Sequence, residues 1–437
     1  MRPLGVWMNG ELVGHWSRGR TSTETFRYSP QWPRSPNARP LSLSLPIPLK
    51  DTPHSGSVVA NYFDNLLPER REVRERVQRL YRTRSTQAHD LLEAIGRDCI
   101  GAVQLLPEGD EPVGYDRIDG RKMSEVDIEE LLRATVTNQP GAATQEDFRI
   151  SIAGMQEKTA LLRKGKTWYR PTGATPTTHI LKLPLGQLPN QLDLRTSVEN
   201  EWLCQRLLDG FGLPTARTEI ATFGAQKALV VERFDRRVLP GGAHGSWIAR
   251  LPQEDFCQAT GMPAHRKYEV DGGPGVVQCL DILAAGANAD GDRLVFALAQ
   301  LAFWLLAATD GHAKNFSIHL HRDNRFTLTP LYDVLSAWPV IGKGAGKLPL
   351  QKAALAMAVR SRNAHYRLIE IQTRHWRGLA DRSGAAGAFD AMVGLVDAAE
   401  DVIARIARSL PPDFPADIGE SIFRGITTQV ARFRRGL

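Results

Sequence analysis

The side chains of this 437-residue chain best suited to chemistry lie in Asp310-Gly311-His312-Ala313-Lys314-Asn315. Asp310 and Asn315 stand in a D-x-x-x-x-N spacing. In that arrangement a carboxylate accepts the proton of an attacking hydroxyl, and an amide oxygen holds Mg²⁺ during phosphoryl transfer. Asp333 follows in Leu331-Tyr332-Asp333-Val334, where a second metal carboxylate is needed, because Mg²⁺ takes one or two carboxylates beside phosphates and water. Asp and Asn also terminate turns, so the short pattern has a purely conformational reading as well.

Upstream, Thr178-His179-Ile180-Leu181-Lys182-Leu183-Pro184 places an ammonium inside an apolar strand. That is costly unless phosphate or carboxylate meets it, and it suits a phosphate-contacting lysine. A strand-edge lysine with a packed stem and a hydrated head is the plainer alternative. Its carboxylate partner would come from the next helix, where Glu199 and Glu201 are both available and nothing chooses between them. The segment from Ser151 to Thr159 carries Ala153, Gly154, Met155, Gln156, Glu157 and Lys158 between two strand-like pieces. It could lay backbone N–H groups over phosphates, although it holds a single glycine. The apolar run from Leu229 ends in Glu232-Arg233-Phe234-Asp235. This suits either a hinge whose backbone hydrogen-bonds an adenine or an ordinary strand end.

Elements must position these groups. Leu4 to Ser17 alternates around Asn9-Gly10 and predicts a β-hairpin. The proline-rich LSLSLPIPL stretch predicts an edge strand followed by an extended loop. Pro68 to Arg84 reads as a solvated helix and Ser85 to Gly96 as a second helix stopped by glycine. Ile100 to Leu106 reads as a short strand. Pro107 to Lys122 is the best linker, after which Ser124 and Asp127 form a helix-start pair. Residues 148–237 read as a small lobe of short strands with one amphipathic helix around Val198 to Phe211. Long helices dominate from about Ala287, interrupted between Asp310 and Pro339. The divisions expected are 1–122, 123–237 and 238–437.

Composition excludes several classes. With 42% hydrophobic and 24% charged residues the chain can bury a sizeable core and is neither disordered nor fibrous. It has no apolar run long enough for a membrane span, and its first residues read as a strand pair rather than a signal peptide, so a soluble cytoplasmic protein is expected. The four cysteines lie far apart and read as reduced core thiols. A net charge of +7 permits contact with nucleic acid without requiring it.

Taken together, SIAGMQEKTALL, TPTTHILKLP, VVERFDRR, DFCQATGMPAHRKYEVDGGPG, AATDGHAKNFSIHL and LTPLYDVLSAWP closely resemble the HipA family of bacterial serine/threonine kinase toxins. FRYSPQW, ARPLSLSLP, FDNLLPE and IGRDCIGAVQLLPEG resemble its N-terminal part, so the likeness runs through essentially the whole chain in order. The resemblance implies an α+β, protein-kinase-like two-lobed fold of the PI3/4-kinase-like kind, with a β-rich N-terminal lobe, an extra N-terminal subdomain and a helical C-terminal lobe. It implies ATP and Mg²⁺ as cosubstrate and cofactor, Asp310 as catalytic base, Asn315 and Asp333 as metal ligands, and Lys182 on the ATP phosphates. Ala153 to Lys158 would form the phosphate loop, Glu232, Arg233 and Phe234 the adenine hinge, and Ser151 the autophosphorylated residue. It also implies a HipB-like helix-turn-helix antitoxin, operator DNA held through that complex, and a protein substrate such as glutamyl-tRNA synthetase or another aminoacyl-tRNA synthetase.

Two features depart from ordinary protein kinases. Asp333 precedes Val334 rather than Phe-Gly, and no His-Arg precedes Asp310. With His312, a further candidate nucleotide-binding residue, two residues beyond the base, the loop looks more like that of lipid kinases, which makes a lipid or small-molecule kinase one alternative. A corepressor with little kinase activity is another. Basic residues of the C-terminal part, among them Arg374, Arg377 and Arg382, are candidate phosphate contacts to DNA or simply a solvated helix face.

Overall fold

The computed structural model describes residues 2–19, 23–136, 151–152, 154, 156–188, 191–242 and 245–437. Its contacts gather into two compact units. One comprises residues 1–183, 221–265 and 318–325, the other 184–220, 266–317 and 326–437.

The first unit opens with the expected hairpin. Strand β1 (Leu4–Met8) turns at Asn9 and Gly10, with φ of 47° and 86°, into β2 (Glu11–Arg18). Both central residues need positive φ for the turn twist to match the strands, and Asn-Gly supplies it. With β3 (Glu24–Tyr28), β4 (His54–Ser55) and β5 (Val103–Pro107) they make a sheet in the order β4-β3-β2-β1-β5. Helices α1 (Ser57–Asp64), α2 (Arg71–Tyr81) and α3 (Ala88–Ile95) follow, and α1 closes the sheet's core by stacking Phe63 on Trp16 at 3.9 Å between ring centroids.

LSLSLPIPL does not form the expected edge strand. Only one Ser42–Leu45 bridge forms, because Pro40, Pro46 and Pro48 remove ladder donors. The alternating serines face protein, and both Ser42 and Ser44 hydroxyls donate to the Gln258 carbonyl. The linker ends as a strand, β6 (Gly120–Lys122), and Ser124 caps α4 (Glu125–Val136) by accepting from the Asp127 amide. A second sheet contains the run of Gln226–Glu232, β9 (His179–Lys182), β7 (Lys158–Lys164), β8 (Thr167–Pro171) and β6.

The second unit is built on the buried helix Ala289–Leu306, with α5 (Ser197–Gly210) and the helices Thr373–Ser383, Ala388–Ala407 and Ala416–Arg434. This half also holds an antiparallel hairpin, Ala354–Arg360 with Ala364–Arg367, that the helical reading lacks. No described helix is long and apolar enough to cross a membrane. All four cysteines are buried.

Candidate active site

In the second unit the helix Ala289–Leu306 ends at Ala307, whose φ of 49° is left-handed. Only an overdetermined surrounding holds alanine there. The Ala307 and Ala308 amides bond back to Trp304 and Phe303, and the chain then enters the Asp310 loop. Phe316 anchors the far end of the loop by stacking on Phe303 at 5.4 Å and meeting Phe296 at 4.9 Å.

Within the loop the predicted pair comes together. Asn315 Nδ2 donates to the Asp310 carbonyl at 2.8 Å, and the His312 amide donates to the same oxygen at 2.8 Å. The Asn315 amide nitrogen is thereby engaged, so the donor it can offer a cation is its carbonyl oxygen. Asp310's side chain is 59% exposed. One of its oxygens, Oδ1, accepts the Tyr268 hydroxyl. Asp333 sits at φ 59°, another strained backbone position at the site. It lies close enough to His312 for its charge to act on that ring. Asn200 of α5 braces the chain just beyond, exchanging two 2.8 Å hydrogen bonds with the Ser336 backbone. Glu199 and Glu201 flank it and are both buried in this unit. The donors of Asn315 and Asp333 are hard oxygens, the set that suits Mg²⁺.

His312 is buried with its ring edge-on to Tyr268 at 5.0 Å. Burial, then the charges of Lys267 and Lys314, push it down to about 3 against the opposing pull of Asp333. In this environment the imidazole is neutral near pH 7.

The first unit carries the other predicted group. Lys182 is 6% exposed and stands directly opposite Lys158 on the neighbouring strand, so both stems leave one face of the sheet. Like charges in that register repel, and an anion beside them relieves the repulsion. Gly154, at φ 110°, lies so near Lys158 that a Cβ there would fall 2.5 Å from its Nζ. Gln156 and Glu157 turn to protein partners instead: Gln156 Nε2 donates to the Leu183 carbonyl at 2.6 Å, and Glu157 pairs with Arg76 at 2.5 Å. Arg76 is thus a half-buried tether, which the reading of its helix as solvated missed. Ala153 and Met155 lie outside the described residues. Ser151 is fully buried, its hydroxyl donating to the Leu66 carbonyl at 2.6 Å.

Of the hinge residues, Glu232 is exposed and Phe234 meets His319 edge-on at 5.7 Å. The Arg233 amide donates to the Thr178 carbonyl at 2.9 Å. Its side chain is buried in an ion cluster with Asp98 and Asp235, which also engage Arg236 and Arg250. Burial opposes ionisation of Asp98, yet Arg236, Arg250 and Arg233 together hold it well below the usual carboxylate range. Arg233 is therefore a structural side chain. Arg374, Arg377 and Arg382 are exposed on the helix Thr373–Ser383, with Arg377 stacked 3.9 Å over Phe389.

Two family models match successive stretches of the chain. The HipA N-terminal domain matches residues 4–106 and the HipA-like C-terminal domain residues 150–413. A Sinorhizobium fredii protein named "Putative kinase Y4mE" is 32% identical over 419 residues, covering 93% of this chain and 92% of that one. The serine/threonine-protein kinase toxin HipA of Shewanella oneidensis is 28% identical over 353 residues, covering 76% and 74%. The solved Shewanella oneidensis complex of HipA, HipB and operator DNA shares the fold, with a TM-score of 0.78 at 24% identity over 99% of this chain and 97% of that one. The architecture is thus the two-lobed, kinase-like one. With both family models matched in order and a relative 32% identical over 93% of the chain, the chain belongs to the HipA family and is a kinase.

Proposed function

We propose that this kinase is the ATP-dependent serine/threonine toxin of a toxin–antitoxin pair. The observation that carries the reading is the Asp310 loop, in which an exposed carboxylate shares a turn with an amide whose nitrogen is tied back to the Asp310 backbone. Asp310 takes the proton of the attacking serine or threonine hydroxyl. Lys182 and Lys158, with the backbone around Gly154, bind the ATP phosphates, and the strand end at Glu232 to Phe234 meets the adenine. Asn315 and Asp333 would hold Mg²⁺, which when bound neutralises phosphate charge. His312 acts as a neutral packing partner of the loop.

Ser151 is the autophosphorylation site in this reading. Its hydroxyl faces Leu66, so it becomes an acceptor only when the loop leaves its seat, and a dianionic phosphate does not fit back into that buried position. The expected protein target is a translation component, an aminoacyl-tRNA synthetase such as glutamyl-tRNA synthetase. The Shewanella oneidensis HipA complex contains HipB and operator DNA. By that likeness this chain pairs in the cytoplasm with a HipB-like antitoxin, and Arg374, Arg377 and Arg382 add phosphate contacts to the operator.

Incubating the full chain with Mg²⁺ and ATP, beside Asp310→Asn, tests the chemistry by intact and peptide mass spectrometry. A phosphate on Ser151 in the wild type is expected, with transfer at least about 100-fold slower in the variant. Equal rates would overturn the assignment of Asp310.

A further inference from the structure

Asp310 is preceded by Ala308 and Thr309, so the loop lacks the His-Arg pair that usually accompanies such a base. A half-exposed carboxylate on a loop turns freely about its side-chain bonds unless something holds it, and a base that turns is seldom aligned for proton transfer. Here the hold comes from 42 residues upstream, where the Tyr268 hydroxyl donates to Asp310 Oδ1.

The phenol is itself fixed from both sides. The carbonyl of Lys267 accepts the Ala313 amide at 3.2 Å, joining this segment to the catalytic loop. Glu269 accepts the Ala358 amide at 2.6 Å and pairs with Arg360 Nε at 2.9 Å, joining it to the hairpin. The tyrosine ring packs edge-on against His312, and the Lys267 ammonium lies 5.6 Å from its centroid. A side chain pinned at both neighbours and on its ring delivers its hydroxyl to one place.

We infer that Tyr268 is the positioning residue of the catalytic carboxylate: its hydroxyl fixes the rotamer of Asp310 so that the base is aligned before substrate arrives. This rests on Asp310 being the base. The consequence concerns the chemical step, because Tyr268 orients Asp310 and the nucleotide groups are left as they are.

Three full-length variants, Tyr268→Phe, Tyr268→Ala and Asp310→Asn, are assayed for autophosphorylation with varied ATP, their folding checked by circular dichroism. Tyr268→Phe keeps the ring and removes only the hydroxyl. It should lower kcat by about 10- to 100-fold with KM for ATP within about twofold, and Tyr268→Ala should lose little more. If the ring's packing were all that mattered, Phe would match wild type and Ala alone would fail, which would overturn the inference. A faster Tyr268→Phe enzyme would overturn it too, since the hydroxyl would then be competing for the base. Should Asp310→Asn retain the wild-type rate, the assignment of the base itself fails; a dead Asp310→Asn beside a fully active Tyr268→Phe removes only the role of Tyr268. Glu269→Gln, which loosens the segment without touching the phenol, should lower kcat in the same direction by a smaller factor.

Discussion

Gly311, between Asp310 and His312, has no room for a side chain: a Cβ would lie 2.4 Å from the Phe303 ring. Gly311→Ala must lift the loop off the helix that carries it or push Phe303 out of its stack with Phe316. Such overpacking costs about 1–3 kcal/mol, readable as a lower urea midpoint, and should reduce phosphoryl transfer more than ATP binding. An unchanged midpoint would mean that the loop yields without cost. At this scale the sequence made some groups legible and hid others. Asp310 and Asn315 are fixed by their own spacing, and the structure joins them by a hydrogen bond. Tyr268 reaches the same carboxylate through the path of the backbone, which no local spacing encodes. Arg233 reads as one charge at a strand end; beside Asp235 two residues on, it also meets Asp98, which lies 135 residues away, so the buried cluster could not be foreseen.

Among elements, those whose ends are set by local chemistry were legible. The Asn9-Gly10 hairpin, the Gly96 stop after α3 and the Ser124 start of α4 all stand where turn and cap chemistry puts them. LSLSLPIPL misled because alternation reports two faces without saying what covers them, and here Ser42 is buried along with Leu41 and Leu45. The brace between α5 and the segment after Asp333 was equally hidden, since Asn200 is one of several polar residues on a mostly buried helix. Asn200→Ala would leave the buried Ser336 amide and carbonyl without their partners. A loss of about 2–4 kcal/mol is expected, measured by denaturant unfolding, with kinase activity falling as the Asp333 segment loosens. Wild-type activity at wild-type stability would show that other contacts hold that segment.

For the whole molecule the expected pH behaviour follows from Glu254, buried in the first unit with Oε1 accepting the Leu43 amide at 2.8 Å. Burial pushes its carboxyl up from 4.5 to about 8. Between those values the folded chain keeps a proton that the unfolded chain has lost, so this group's contribution to stability falls as pH rises through that window. Glu254→Gln should therefore unfold at a higher temperature relative to wild type at pH 8.5 than at pH 5, in thermal melts followed by circular dichroism. Parallel melting points across that range would refute the assignment. The Asp98 cluster has a different consequence, one that concerns synthesis. Its aspartate leaves the ribosome early, but Arg250, 152 residues later, and Arg233 and Arg236 between them are what make its burial tolerable. The N-terminal sheet can collapse first, yet its edge near Asp98 must wait, at the pace of translation, for the last arginine to emerge. A ribosome stalled before Arg250 should hold a nascent chain that proteases still cut, and one stalled well beyond it a chain that they do not.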